Sequence, residues 1–222
     1  MKTILVVCAL LLASVTASAA TYSYTGNPYI GIANFTVCGT GSCGNFTPAM
    51  RPTGTFTTST RLAANLVAAN VAPLVTSYRF SDGLTTYSSA DANSRLHTLT
   101  ATTDATGAIL DITAVVERWQ AGPGPHVAGD RFDLVQLFAV VDIAVHNASC
   151  TGVGAGPSGV VDACTGAATD AASSTANSTP TTLFALLAAG NSVPTLTELA
   201  LMLLALLMAG AGMARLRRVR AD

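Results

Sequence analysis

The chain has 222 residues, of which 50% are hydrophobic and only 10% charged, and its formal net charge is −1. That near-neutrality is a sum of opposites. Residues 20–190 carry six arginines, no lysine and ten acids, about −4 in all, while basic residues gather at the C-terminal end. A mildly acidic, lysine-free central region argues against nucleic acid and anionic lipid as its partners.

The chain opens with "MKTILVVCALLLASVTASAA". Lys2 supplies a positive start, Ile4 to Ala13 an apolar run too short to span a bilayer, and Ala17-Ser18-Ala19 the small residues of a signal-peptidase site. Residues 1–20 read as a secretory signal peptide cleaved after Ala19 or Ala20, with an uncleaved anchor as the alternative. Everything that follows is exported.

Residues 21–164 read as one domain, mostly strand. "TYSYT" at 21–25 alternates aromatics, "YIGIANFTV" at 29–37 is β-prone, and "TGTFTTST" at 53–60 has the Thr-rich look of an exposed strand. "RLAANLVAANVAPL" at 61–74 is the one interruption, a helical turn or a crossover. Asp82-Gly83, between "LVTSYRF" and "LTTYSS", predicts a tight two-residue hairpin turn. A second hairpin follows around "DATG", with Gly107 at a left-handed position. Its return strand alternates Leu110, Ile112, Ala114 and Val116 against Asp111, Thr113, Val115 and Glu117. "FDLVQLFAVVDIAVH" at 132–146 reads as one or two buried strands. About eight or nine short strands predict an all-β, antiparallel β-sandwich.

Four cysteines survive export: Cys38, Cys43, Cys150 and Cys164. An even number in an oxidising compartment predicts two disulfides. Of three possible connectivities, the Gly-rich intervening loops favour Cys38–Cys43 and Cys150–Cys164. Cys-x4-Cys has no histidine nearby, so a metal site is not expected.

No catalytic motif and no cofactor site stand out. His97 lies in a predicted strand, His126 in the turn-like "GPGPHVAG", and His146 ends an apolar run; Asp142 and His146 would share a face only on a helix. Asp130 and Asp133 are either a calcium loop or a solvated turn. Trp119 is either a ligand-stacking aromatic or a lone Trp at the core edge. Four Asn-x-Ser/Thr sequons, at Asn34, Asn45, Asn147 and Asn177, reflect the Thr-rich composition.

Residues 165–192 read as an Ala/Ser/Thr-rich spacer. Residues 193–222 then combine Val193-Pro194-Thr195-Leu196, Glu198, sixteen uncharged residues from Leu199 to Ala214, and the basic flank Arg215, Arg217, Arg218 and Arg220. As a helix the apolar run is about 24 Å long, somewhat short of a hydrocarbon core of about 30 Å, and the arginine stems can extend it. Arginines behind a span stay cytoplasmic. The physics alone gives one transmembrane helix over 199–214, with the domain outside the cytoplasm.

That order of motif, span and basic tail resembles the IPTL-CTERM sorting signal of Gram-negative bacteria, a relative of PEP-CTERM. Val193 and Thr197 stand where Ile and Ser are usual, and Leu199 and Ala200 where Trp and Gly are usual. The resemblance implies processing by an exosortase-like enzyme at the inner membrane; a plain stop-transfer anchor is the alternative. "YSYTGNPY", "GTFTTSTRLAANL", "SYRFSDG" and "TDATGAILDI" are similar to a domain recurrent in exported bacterial proteins with such tails, one with no established activity. Together these imply a non-enzymatic envelope or matrix protein, its partners the processing enzyme, the inner membrane and exopolysaccharide. A membrane-tethered carbohydrate-binding module and a hydrolase with an unrecognised site are the other readings.

Overall fold

The computed structural model describes residues 19–180, 184–187 and Leu204. The stretch read as a signal peptide, up to residue 18, the sorting motif, the basic flank and the expected span 199–214 apart from Leu204 lie outside the described residues. Among the described residues no helix is long and apolar enough to cross a membrane.

Strict alternation of inward and outward residues builds the smaller sheet. β1 (Ala20–Thr25) turns Ala20, Tyr22 and Tyr24 inward and leaves Thr21 and Ser23 half-exposed. β2 (Gly31–Ala33) is all that the 29–37 segment contributes. β3 (Thr53–Thr58) buries Gly54, Phe56 and Thr58. Gly54 sits opposite Phe80 on the neighbouring strand, and a Cβ there would meet the Phe80 ring, so the glycine makes room for that ring. The Ala/Leu-rich segment at 61–74 is a crossover: it holds β4 (Ala69–Asn70) and one turn of 3-10 helix at Ala72–Leu74.

The remaining strands are β5 (Val75–Ser81), β6 (Thr86–Ser88), β7 (Ser94–Thr103), β8 (Ile109–Trp119), β9 (Arg131–Leu137), β10 (Asp142–Gly154), β11 (Ala163–Ala168), β12 (Ser174–Ser178) and β13 (Ala185–Leu186). The smaller sheet runs β13-β1-β3-β5-β6. The larger runs β2-β12-β10-β9-β8-β7-β4, with β11 also paired to β10. Every strand pairing in both sheets is antiparallel.

Between the sheets lies an aromatic core. Tyr22, Tyr24, Phe56, Phe80 and Tyr87 of the smaller sheet pack with Leu96, Leu99, Ile112, Val116, Val135 and Leu137 of the larger. Tyr22 stacks on Phe56 with centroids 4.9 Å apart. The outer face of the larger sheet carries a second cluster of Val115, Trp119, Phe132, Leu134, Val145 and Ala148, closed by the Cys150–Cys164 disulfide. Both local disulfides are present, with Cα–Cα distances of 6.0 Å for Cys38–Cys43 and 5.7 Å for Cys150–Cys164.

Four expectations need correction. The strands number thirteen among the described residues rather than eight or nine, because several pieces are only two or three residues long. The stretch read as a spacer is not one up to Leu187: β11, β12 and β13 lie in it, and the compact unit ends at Leu187. Its small residues are strand residues that pack closely; Ser174, Ala176 and Ser178 are buried in β12.

The Asp82-Gly83 turn is centred one residue later. The Asp82 N–H donates to the Thr85 carbonyl (3.2 Å), leaving Gly83 and Leu84 as the central pair. Gly83 has φ +95°, at the position where a type II′ turn takes glycine. Lastly, Leu110 is 54% exposed rather than inward. The β7–β8 register shifts between Thr102 and Thr103, pairing Thr103 with Ile109, so Ile109 takes the inward place and Leu110 is thrown outward.

Candidate functional site

The inward face of the larger sheet is laid out in rows, and the last row is polar. Ala114 pairs with Leu137 and that with Asp142; Val116 pairs with Val135 and that with Ala144. The next row is Ser94, Arg118 and Asp133. On β10 a bulge falls opposite Asp133, since Val145 pairs with Leu134 but Ala148 with Phe132. Asn147 takes φ +60° to make it. The bulge aims two groups at one oxygen: His146 Nδ1 lies 3.0 Å from Asp133 Oδ1, and the Asn147 N–H donates to the same atom at 2.9 Å.

Asp133 is buried and fully engaged. Gln120 Nε2 donates to Oδ1 (2.7 Å) and the Thr85 hydroxyl to Oδ2 (2.9 Å). Burial raises its pKa, but the His146 bond and charge and the Asn147 and Gln120 donors outweigh that and hold it below the usual carboxylate range. His146 moves the opposite way. Burial disfavours its charge, yet Asp133, the Asp82 charge and a backbone hydrogen bond with Ser42 together raise it above the usual imidazole value. Both shifts favour the imidazolium–carboxylate form of this buried pair.

A second acid lies next to it. Asp82 is buried in the turn, its Oδ1 accepting the N–H groups of Leu84 (2.8 Å) and Thr85 (2.6 Å) and its Oδ2 the Tyr87 hydroxyl (2.7 Å). Burial pushes it up to about 6 despite these donors, and the Asp133 charge adds to the rise. Thr85 therefore joins two carboxylates whose environments drive their pKa values apart. The Tyr29 hydroxyl donates to the Asp82 carbonyl (3.0 Å).

The disulfide loop 38–43 is fastened onto this network. Gln120 Oε1 accepts the Ser42 N–H (2.7 Å) and Gln120 Nε2 also reaches the Ser42 carbonyl (3.1 Å). Asn147 Nδ2 donates to the Thr40 carbonyl (2.9 Å) and the Ala172 carbonyl (3.0 Å). Beside the loop opens a cleft of about 780 Å³. Its floor is Thr85, Gln120, Asp133 and His146, and its walls include Arg79, Thr86 and Ser88 on one side and Asp91 and Arg118 on another. His146 is engaged by Asp133 and by Ser42, and Asp133 is met by four groups of the protein itself, His146, Asn147, Gln120 and Thr85.

Beyond the cleft, residues 191–218 match the model of the IPTL-CTERM motif. This is a chain with an IPTL-CTERM tail. The IPTL-CTERM match takes in Val193, Pro194, Thr195, Leu196 and Glu198 and, of the basic flank, Arg215, Arg217 and Arg218; Arg220 lies just past it. The motif marks an exported, envelope-associated protein with a C-terminal sorting signal. No curated protein and no solved structure matches the chain.

The other sequence candidates fall elsewhere. Trp119 is fully buried in the second cluster, stacked on His126 at 4.2 Å and 8°, and its indole N–H donates to the Asp162 carbonyl (2.9 Å), so it offers no stacking surface to a sugar. His126 Nδ1 also meets Asp162 Oδ2 (2.7 Å), which Arg95 shares at 3.1 Å. His97 lies in the β7 bulge beside Thr98. Asp130 and Asp133 do not form one loop site: Asp130 caps the Val127 N–H, and Asp133 is the carboxylate at the cleft floor. Asp142 accepts from the Tyr24 hydroxyl (2.6 Å), two rows away from His146. Of the sequons, Asn147 is buried, while Asn34, Asn45 and Asn177 are exposed. Asp82, Thr85 and Gln120 carry no sequence motif; only the Asp-Gly pair hints that Asp82 has a special place.

Proposed function

We propose that this is a non-enzymatic protein of the cell envelope or extracellular matrix, exported by its N-terminal segment and then sorted and trimmed through its IPTL-CTERM tail by an exosortase-like enzyme at the inner membrane. The observation that carries this reading is the motif at 191–218. It begins four residues after a disulfide-bonded sandwich whose last strand is β13. Two disulfides suit an oxidising compartment outside the cytoplasm. A binding role rather than chemistry is supported by the cleft floor, where the one imidazole is tied on both sides.

The test is fractionation of the full chain with a C-terminal epitope. Sorting predicts loss of the epitope in the native sequence and its retention, at full post-signal length in the inner membrane, after Pro194→Ala with Thr195→Ala. Retention of the epitope in both would reduce the tail to a stop-transfer anchor.

A further inference from the structure

The cleft has an edge that the floor does not explain. Arg79 on β5 is exposed, and among the described residues its guanidinium has neither a carboxylate nor a hydrogen-bond partner. Arg118 on β8 commits only its Nε, to Asp91 Oδ2 at 2.7 Å, and its two terminal nitrogens donate to nothing described. The fold brings the two together. Arg79 pairs with Ser88, the Ser88 N–H donates to Ser94 Oγ (3.2 Å), and Ser94 pairs with Arg118. Both residues line one concavity.

A domain with a net charge of about −4 and six arginines places a third of those arginines in one cleft. The other two that form ion pairs have both terminal nitrogens engaged: Arg131 on Asp170, and Arg95 on Asp162 and on the Ala92 and Ser94 carbonyls. The forked N–H groups left open at Arg79 and Arg118 match a carboxylate or a sulfate. Around them the cleft offers hydroxyls, Ser42, Thr86 and Ser88, and among the described residues no Phe, Tyr or Trp lines it. That lining suits a ligand with many hydroxyls and an anionic group, and it does not suit neutral sugars held by stacking. A cleft of about 780 Å³ is in the range that encloses small ligands.

The cleft follows β6, one edge of the smaller sheet.

We propose that the β6 cleft is a binding site for acidic sugar units, with Arg79 and Arg118 taking the carboxylate and the Ser and Thr hydroxyls taking the ring hydroxyls. The site belongs to the sandwich and is independent of how the tail is processed.

Calorimetric titration of the full chain in detergent with glucuronate, with glucose as the neutral match, tests it. Glucuronate should bind at least tenfold more tightly than glucose, and more weakly as salt rises. Arg79→Ser, which breaks no side-chain hydrogen bond or ion pair among the described residues, should lower glucuronate affinity about tenfold at an unchanged denaturation midpoint. Arg118→Lys, which keeps a cation for Asp91 but loses the fork, should also lower it. Equal binding of the two sugars, no binding of glucuronate at 10 mM (roughly the weak limit for a specific site), or unchanged affinity in Arg79→Ser would each overturn the proposal.

Discussion

Asp133 and His146 come from neighbouring strands and meet because β10 bulges opposite Asp133, which brings Nδ1 within 3.0 Å of Oδ1. The two groups respond to pH in opposite senses. His146 is raised, so its contribution to stability is complete below the ordinary imidazole value and is lost as pH rises through its folded value. Asp133 is lowered, so its contribution is present above the ordinary carboxylate value and is lost as pH falls through its folded value. The pair is strongest between about pH 4 and 6.5. His146→Ala should remove part of the loss of stability expected above pH 6.5, read from urea midpoints across pH. Asp133→Asn leaves the imidazolium without its buried partner and should cost about 3 kcal/mol at pH 6. Parallel pH profiles for wild type and His146→Ala would show that the imidazole is not charged in the fold.

Glu117 gives a separate window. It is buried on the outer face of the larger sheet, Oε1 accepting the Cys164 N–H at 2.9 Å. Burial raises it from 4.5 to about 7, against the Cys164 bond and the Arg95 charge. An acid raised in the folded state binds its proton more tightly there, so stability falls as pH rises from about 4.5 to 7. That shift corresponds to roughly 3 kcal/mol. Glu117→Gln keeps the acceptor for Cys164 and removes the charge. It should be more stable than wild type at pH 8 and close to it at pH 4; equal stability at pH 8 would place the ionised carboxylate in water.

What could be read in the sequence is local. The Gly107 turn, the two disulfides and the inward set Ile112, Ala114 and Val116 follow from neighbours in the chain. The cleft does not, because its groups lie on strands that meet only through register. Asp133 and His146 are thirteen residues apart in sequence and become partners through a one-residue bulge that no motif announces. β12 escaped for a different reason: Ser174, Ala176 and Ser178 are as small as linker residues, and only the strands on either side of them, β10 and β2, make them core. Trp119 was visible as a notable residue, but whether it faced solvent depended on the loop that brings His126 over it.

Gly83→Val tests the turn. With φ at +95° and a Cβ that would lie 2.8 Å from Met50 Cβ, a β-branched residue is both strained and crowded. The expected loss is roughly 1 to 2 kcal/mol, larger than that of Asp104→Ala in the other hairpin turn, whose carboxylate is exposed. An unchanged midpoint would show that the turn adopts another form in solution.

The disulfides should differ in what they hold. Cys150–Cys164 spans 14 residues and packs against the Trp119 cluster. Replacing both cysteines by Ala should cost about 3 kcal/mol and shift the emission of Trp119, the chain's single tryptophan. Cys38–Cys43 spans 5 residues on the surface. Its removal should leave Trp119 emission unchanged while amide exchange speeds up at Ser42, whose N–H rests on Gln120. Slow exchange at Ser42 after reduction would mean that Gln120 and Asn147 hold the loop without the disulfide.

The extent of the domain can be tested by where it is cut. A fragment ending at Cys164 keeps both disulfides and most of the long strands, yet it loses β12 and β13. Without β12, β10 has a bare edge from Asp142 to His146, and β2 loses its partner. Asp142 also loses the Ser178 hydroxyl, at 3.2 Å, which leaves Tyr24 as its remaining side-chain donor. Without the β13 segment, Phe184 leaves the centre of the aromatic core, where it lies 5.0 Å from Tyr24, 5.4 Å from Phe56 and 6.3 Å from Phe80. Removing one buried Phe side chain costs about 3 to 5 kcal/mol, and a domain of this size has about 5 to 15 kcal/mol in total. Residues 20–187 should therefore give a cooperative urea transition and near-ultraviolet dichroism from packed aromatics. Phe184→Ala in that fragment should lower the midpoint by the equivalent of 3 kcal/mol or more, and residues 20–164 should show no cooperative transition. If 20–164 unfolded cooperatively at the same midpoint as 20–187, the last three strands would be ornaments on a smaller sandwich, and the residues before the IPTL-CTERM motif would be the spacer that their composition suggests.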